Sequence, residues 1–414
     1  MEYDVIVVGG GAAGLMAAVT AAGRGKHVLL LEKMDQAGRK LRITGKGRCN
    51  LTNTNALRDT LPHIGSDARF LRNAYGRFFN QQLMDFFEQR GVALTVERGN
   101  RVYPASGKAL DIFLALISEL EQNANVDIRK NTTVKSIETF EGQATAVILE
   151  RGERIACRHI VLATGGLSYP TTGSTGAGYR MARELGHTVV EPVPSLVPLK
   201  CAEKIPAELI GFQLKNVQLA LYEGSSNAPM FKSGVGEMTF VQDGLSGPIV
   251  LSASRIATRP LQSGKSLTAR LDLKPGLTPE QLDRRLLADL DQNGTRIFND
   301  ALRLWLPAEL IPLALPQLHI EYYKRLHQIT GDERRRLGRW LKGVEFTLTG
   351  THDWNEAIVT QGGVALGEVN PKTMESRLVS GLYIVGELLD LDADTGGYNL
   401  QIAFSTAHAA GEAI

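Results

Sequence analysis

The chain opens on two short apolar runs separated by a longer, less bulky one. Residues 3–8 ("YDVIVV") are β-branched and continuous, as a strand buried on both faces would be. Residues 27–32 ("HVLLLE") form a second such run, ending at Glu32. Between them, "GGGAAGLMAAVTAAGR" passes from glycines into helix-forming alanines through about Arg24. The pattern predicts strand, tight turn, helix, strand. It returns in "RHIVLATGG" (158–166), a strand running into a turn at Ala163-Thr164-Gly165. Residues 381–411 ("GLYIVGELLDLDADTGGYNLQIAFSTAHAAG") predict a strand, Gly386-Glu387, an acidic loop, and a final helix opened by Gly396-Gly397.

The middle of the chain reads differently. "EPVPSLVPLK" (191–200) places three prolines within seven residues and marks a domain exit. From about 200 to 274, short β-prone runs with Gly and Pro punctuation predict a small antiparallel barrel or sheet. From Thr278 the pattern becomes helical, in "LTPEQLDRRLLADLDQ" and later "DERRRLGRWLKG". Thr278 is the expected N-cap, with Glu280 and Gln281 in the first turn.

Composition changes this picture little. At 414 residues the chain is too long for one core, and two or three domains are expected. It is 43% hydrophobic and 22% charged, ordinary for a globular protein, and a net charge of +2 is silent about nucleic acid. Three well-separated cysteines (Cys49, Cys157, Cys201) exclude a disulfide framework or a CxxC metal site and fit a cytoplasmic setting. Val5 to Gly23 is uncharged for nineteen residues, yet Glu2 and Asp4 precede it and five of the nineteen are glycine. That is no membrane span.

The first turn carries chemistry. Gly9, Gly11 and Gly14 satisfy GxGxxG between a strand and a helix, where glycines permit a tight turn and close approach of a pyrophosphate to the helix N-terminus. Glu32, eighteen residues beyond Gly14, is placed to accept from ribose hydroxyls. The turn at 163–165 and the Gly386–Gly397 segment bring the chain back to the same dinucleotide. The final helix can then face a flavin's pyrimidine edge, a return that NAD enzymes do not need. FAD is therefore the expected cofactor. "GRKLRITGKGRCNLTN" (38–53) packs three glycines and five cations into sixteen positions, and its glycines suit a backbone lying against that cofactor.

Taken with "GGGAAG", "ATGGLSYPTTGSTGAGYRMARELGH" and "GGVALGEVNPKTMESR", these motifs resemble the BaiN/RdsA-type flavoproteins, bacterial FAD-dependent oxidoreductases some of which are called aminoacetone oxidase-like. The resemblance implies an α/β, Rossmann-like FAD-binding domain in two segments, 1–193 and 345–414. They are interrupted by an inserted β-barrel-like subdomain (194–275) and a helical one (276–344). It also implies the cofactor contacts: Gly9, Gly11, Ala13 and Gly14 at the pyrophosphate, Glu32 and Lys33 at the adenosine ribose, and Val134 at adenine. Arg39 and Lys40 begin the next loop and offset phosphate charge, while Arg48, Cys49, Asn50 and Leu51 come near the ring. Glu387, Asn399 and Leu400 close the site. Arg42, Lys46 and Arg48 are left either to meet an anionic substrate or to be solvated.

No second GxGxxG exists; "GSTGAG" (173–178) has the wrong spacing and is read as the cap of a helix near Gly178. NAD(P)H, as electron donor, is expected to bind transiently over the flavin. Cys49 is the candidate catalytic residue, since a cationic loop favours a thiolate, against the plainer reading of a small packing residue. Tyr398 carries the same two readings. Family members act on steroid-like enones, on uridine in ribosomal RNA, and on amines, and reduction of an activated C=C unites the first two. "RFLRNAYGRFF" (69–79) and "RRRLGRWLK" (334–342) mix cations with aromatics as RNA contacts do, although a solvated amphipathic helix gives the same pattern. The expected function is an NAD(P)H-driven, FAD-dependent reductase of an activated C=C, with rRNA or a small molecule as partner and no membrane. The alternatives are an oxidase, an enone reductase, or a redox-sensing flavoprotein without turnover.

Overall fold

The computed structural model describes residues 3–65 and 67–414; Met1, Glu2 and Ser66 lie outside them. The chain divides into two units, Met1–Ser195 with Trp354–Ile414, and Leu196–Asp353.

In the first unit five strands run parallel, in the spatial order Val126–Arg129, Val28–Leu31, Tyr3–Val8, Arg154–Leu162, Leu382–Ile384. A hairpin of Val134–Phe140 and Gln143–Leu149 adds antiparallel to the first half of Arg154–Leu162. Strand order reverses between Tyr3–Val8 and Arg154–Leu162, which makes the carboxyl ends of these two strands a topological switch point. The helix Ala12–Gly23 is buried along most of its length and packs against the closing helix, Tyr398–Ala413. Close approach is possible because Gly411 faces Thr20, where an added Cβ would sit 2.6 Å from the Thr20 Cβ. This burial accounts for the uncharged Val5–Gly23 stretch. Among the described residues no helix is long and apolar enough to cross a membrane.

In the second unit six antiparallel strands close on themselves. Around the ring come Gln213–Glu223, Gly236–Val241, Gly244–Ser246, Leu199–Cys201, Val344–Thr351 and Leu267–Asp272, the last pairing back to the first. Burial alternates along Leu267–Asp272, as a barrel wall requires. The helix Pro248–Gln262 touches every one of these strands and buries Ile249, Val250, Ala253 and Ala257 among them. Two sequence expectations are corrected here. The return to the first unit comes at Trp354 rather than 345, because Val344–Thr351 is needed to complete the barrel. The β and helical parts are not separate subdomains, since Phe240 and Phe346 of the strands share one core with Leu286, Leu337 and Trp340 of the helices. Thr278 caps Pro279–Gln292 as expected, its hydroxyl accepting from the Gln281 N–H at 3.2 Å while the Gln281 side chain accepts from the Thr278 N–H at 2.9 Å.

Candidate active site

The Tyr3–Val8 strand ends at Gly9, whose φ of +106° and position beside the Ala163 carbonyl leave no room for a side chain. A Cβ on Gly14 would lie 1.8 Å from the Gly9 carbonyl oxygen, so helix and strand meet backbone to backbone. Gly11 is the opposite case. It caps Ala12–Gly23 with no side-chain hydrogen bond, and a Cβ there would meet nothing within 4 Å. The helix N-terminus therefore faces open space, a cradle that fits a pyrophosphate. Ala13 touches the cradle's other wall, where a Cβ on Gly386 (φ +69°) would lie 2.8 Å from its methyl. Across the switch point, the Ala163 N–H donates to the Val8 carbonyl (2.9 Å), and Thr164 and Gly165 follow, with Gly165 at φ +70°.

Glu32 is buried at the end of its strand, where one carboxylate oxygen accepts from the Gly10 N–H and the other from the Met34 N–H, both at 2.8 Å. Each oxygen keeps a lone pair for a ribose hydroxyl. Thr132 donates its N–H to the Glu32 carbonyl (2.9 Å), which brings the head of the hairpin strand, with Val134, to this end of the sheet. Lys33 is directed elsewhere. Its ammonium donates to the Thr175 hydroxyl (2.7 Å), and burial lowers its pKa against the opposing pull of Glu32.

The cations of the Gly38–Asn53 stretch separate. Arg39 lies 3.6 Å from Asp35. Lys40 pairs with Glu387 at 2.7 Å and donates to the Ser168 hydroxyl. The other Glu387 oxygen accepts from Ser168 and from the Thr360 N–H, both at 2.8 Å. Burial alone would raise the Glu387 carboxyl, but the Lys40 ammonium and these hydrogen bonds more than offset it and hold the carboxyl below its ordinary range. Lys40 is thus matched to a carboxylate, where the sequence placed it against phosphate. Arg48 turns to Glu97 and lies over the Tyr103 ring, 4.4 Å from its centre.

Cys49 is fully buried, and burial pushes its thiol up to about 12, against the thiolate expected of a cationic loop. Two of that loop's cations are engaged elsewhere, Lys40 by Glu387 and Arg48 by Glu97. The Asn50 amide, oriented to satisfy both its ends, accepts from the Gly397 N–H (3.1 Å) and donates to the Thr52 carbonyl (3.2 Å). Leu51 is buried and donates its N–H to the Val102 carbonyl at 2.8 Å. Thr52 donates to Gln401 at 2.5 Å. Gly397, at φ +97°, presses so closely on Thr52 that a Cβ would lie 2.4 Å from the Thr52 carbonyl. Together these contacts dock the cationic stretch onto the N-terminus of Tyr398–Ala413. The Asn399 side chain is occupied by its own loop, accepting from the Ala393 N–H (3.0 Å) and donating to the Ala393 carbonyl (2.8 Å), while Leu400 packs on the core.

Tyr398 is packed into the first unit. It is 4% exposed, its hydroxyl accepts from the Asn55 amide at 2.9 Å, and His63 stacks on its ring at 4.6 Å. His63 is held in turn by Asp394, 2.9 Å from its Nδ1. Sequence reasoning missed Ser168, Thr360, His63 and Asp394. Ser168 sits inside a quoted motif and Asp394 in the acidic loop of 381–411, but nothing local marked Thr360 or His63. The helix near Gly178 begins at Ala177 with Gly176 as its cap. Among the described residues no group of three or more His, Cys, Asp or Glu side chains is placed to hold a metal ion.

In the cation-and-aromatic segments most aromatics turn inward and several cations are paired, while Phe79 is half-buried and Arg72 and Arg339 are exposed. Phe70, Tyr75 and Phe78 are buried, Arg69 pairs with Asp67 and Arg77 with Glu412. In the second segment Trp340 is buried, Arg334 pairs with Asp283, Arg335 with Asp332 and Lys342 with Asp272.

Comparison with known proteins agrees with this architecture. Residues 3–413 match the family described as HI0933-like protein Rossmann domain. The 3-dehydro-bile acid delta(4,6)-reductase of Clostridium scindens is 34% identical over 98% of both chains. The ribosomal RNA dihydrouridine synthase of Escherichia coli is 30% identical over 99% of this chain and 97% of its own, and that of Haemophilus influenzae 31% identical over 98% and 96%. The solved Mycobacterium smegmatis Sdh1 complex shares the fold, with a TM-score of 0.51 at 17% identity, spanning all of this chain and 68% of that one. With an open helix end at a Rossmann switch point and a family match along nearly its whole length, the chain belongs to the HI0933-like Rossmann family and is an FAD-dependent oxidoreductase.

Proposed function

We propose that this protein is an NAD(P)H-driven reductase of a carbon–carbon double bond activated by a neighbouring carbonyl, working in the cytoplasm. The observation that carries the reading is chemical. Two kinds of relative align over nearly their full length, and both are named for adding two hydrogens across a C=C, one as a delta(4,6)-reductase and one as a dihydrouridine synthase. FAD, when bound, supplies the two-electron chemistry.

The residues of this chain supply binding and position. In the proposal the open N-terminus of Ala12–Gly23 receives the pyrophosphate and Glu32 accepts from the adenosine ribose. The segment Cys49–Leu51, fixed against Gly397, lies along the ring. The N-terminus of Tyr398–Ala413 stabilises negative charge at the pyrimidine edge. Cys49, as a buried neutral thiol, packs rather than reacts. Uridine in ribosomal RNA and a steroid-like enone are the two candidate acceptors. Burial of Phe70, Tyr75, Phe78 and Trp340 and the ion pairs of 69–79 and 334–342 weaken the sequence support for the RNA reading, which rests chiefly on the relatives.

The test is an anaerobic visible spectrum of the purified protein before and after NADH or NADPH, followed by addition of rRNA lacking dihydrouridine or of a steroid-like enone. Bleaching and then recolouring by one acceptor is the expected result. A flavin that stays oxidised with both nicotinamides refutes the proposal, in favour of amine oxidation or a sensing role.

A further inference from the structure

Two cations of the Gly38–Asn53 stretch, Arg42 and Lys46, have no acidic partner among the described residues. Arg42 donates to the Gln36 side chain at 2.6 Å and lies over the Phe113 ring, 5.7 Å from its centre. It belongs to the first helical turn of the kinked Arg39–Gly47 segment, in which Leu41 is buried and Lys40 holds Glu387. A groove of about 430 Å³ is lined by Arg39, Arg42, Lys108, Ile43 and Leu110, among others. Lys108 is exposed, has no acidic partner among the described residues, and precedes the helix Ala109–Glu121. Ile43 is 46% exposed and Leu110 39%; Leu114, one turn along the same helix face, is 45% exposed. Single exposed aliphatics need no explanation, but here two face three cations across one concavity.

We propose that this groove binds one soluble amphipathic anion, distinct from cofactor and acceptor. Its phosphate or carboxylate head lies between Arg42 and Lys108, and its aliphatic arm lies along Ile43 and Leu110. Charge-assisted hydrogen bonds orient the head, and burial of the arm adds affinity in proportion to the area covered. The volume falls at the smaller end of the range of ordinary ligand sites, roughly 300–1,000 Å³. The lining holds no aromatic side chain, and the Arg42 guanidinium already lies over Phe113, so the groove offers a nucleobase little beyond the Arg39 plane to stack on and favours an aliphatic body over nucleic acid.

The experiment is a calorimetric titration of the flavin-loaded, full-length protein with octyl phosphate below its micelle concentration. Inorganic phosphate and octyl glucoside serve as head-only and arm-only controls. Octyl phosphate is expected to bind at least about tenfold more tightly than phosphate, and octyl glucoside to give no saturable heat. R42Q/K108Q and I43S/L110S are each expected to weaken binding by roughly tenfold or more, with the flavin spectrum unchanged. Hydrogen exchange on the unmodified protein gives an answer that needs no variant, since octyl phosphate should slow exchange at 39–47 and 108–114. Equal binding of phosphate, equal binding of octyl glucoside, unaffected variants, or protection elsewhere in the chain would each overturn the assignment. So would recruitment to phosphatidylglycerol vesicles without binding of octyl phosphate, which would make the patch a bilayer contact.

Discussion

Replacing Lys40 by Met removes the ammonium that faces Glu387 and leaves the rest of the pocket intact. Each side chain of the pair is only about a fifth exposed, so solvent cannot take over the lost partner. Ser168 and the Thr360 N–H still donate to the carboxylate, but neither carries charge. Breaking a buried pair costs about 3–5 kcal/mol, and partial exposure with two surviving hydrogen bonds puts this case near about 3 kcal/mol. For a unit of this size that is a fall in Tm of roughly 6–12 °C. Scanning calorimetry at pH 7, following the transition of the first unit, measures it.

The pH dependence supplies a sign. In the wild type the Glu387 carboxyl is depressed when folded, so its stabilisation is present above the unfolded value near 4.5 and is lost as pH falls through the folded value. In K40M burial dominates and raises the carboxyl, so the penalty is greatest at neutral pH and eases as the group takes up a proton. The gap between the two proteins should therefore narrow from pH 7 to pH 5, and the K40M/E387Q double variant should recover much of the loss. A K40M protein melting within a degree of wild type, or a gap independent of pH, would refute the reasoning.

Other expectations follow from the same contacts. Glu32→Ala strips one buried and one partly buried backbone N–H of their acceptor and should destabilise the first unit by about 1–3 kcal/mol while releasing flavin on gel filtration. Gly397→Ala places a Cβ 2.4 Å from the Thr52 carbonyl at a φ of +97°, and should lower Tm and flavin retention far more than Gly11→Ala lowers Tm, because Gly11 has space around it. Cys49→Ala should retain flavin reduction by nicotinamide, and iodoacetamide should leave Cys49 unalkylated in the folded protein up to about pH 9; rapid alkylation at pH 7 would show a thiolate that burial forbids.

The strand, glycine turn and helix at residues 3–24 were legible because everything that specifies them is local: β-branched residues, glycines where backbone must meet backbone, and an uncharged helix. The Thr278 cap was legible for the same reason, since its partner lies three residues away. Barrel closure was not, because Val344–Thr351 pairs with strands far earlier in the chain, and local pattern carries no information about which edges meet. The cationic stretch shows the limit most directly. Its composition announced an anion, yet Lys40 finds Glu387, 347 residues away, and Arg48 finds Glu97. Charge is a property of the sequence, but which charges remain available depends on what the fold sets beside them, because an ion pair forms at a few ångströms whatever the separation along the chain. The same holds for Cys49: the sequence supplied a thiol among cations, and tertiary burial raises its pKa.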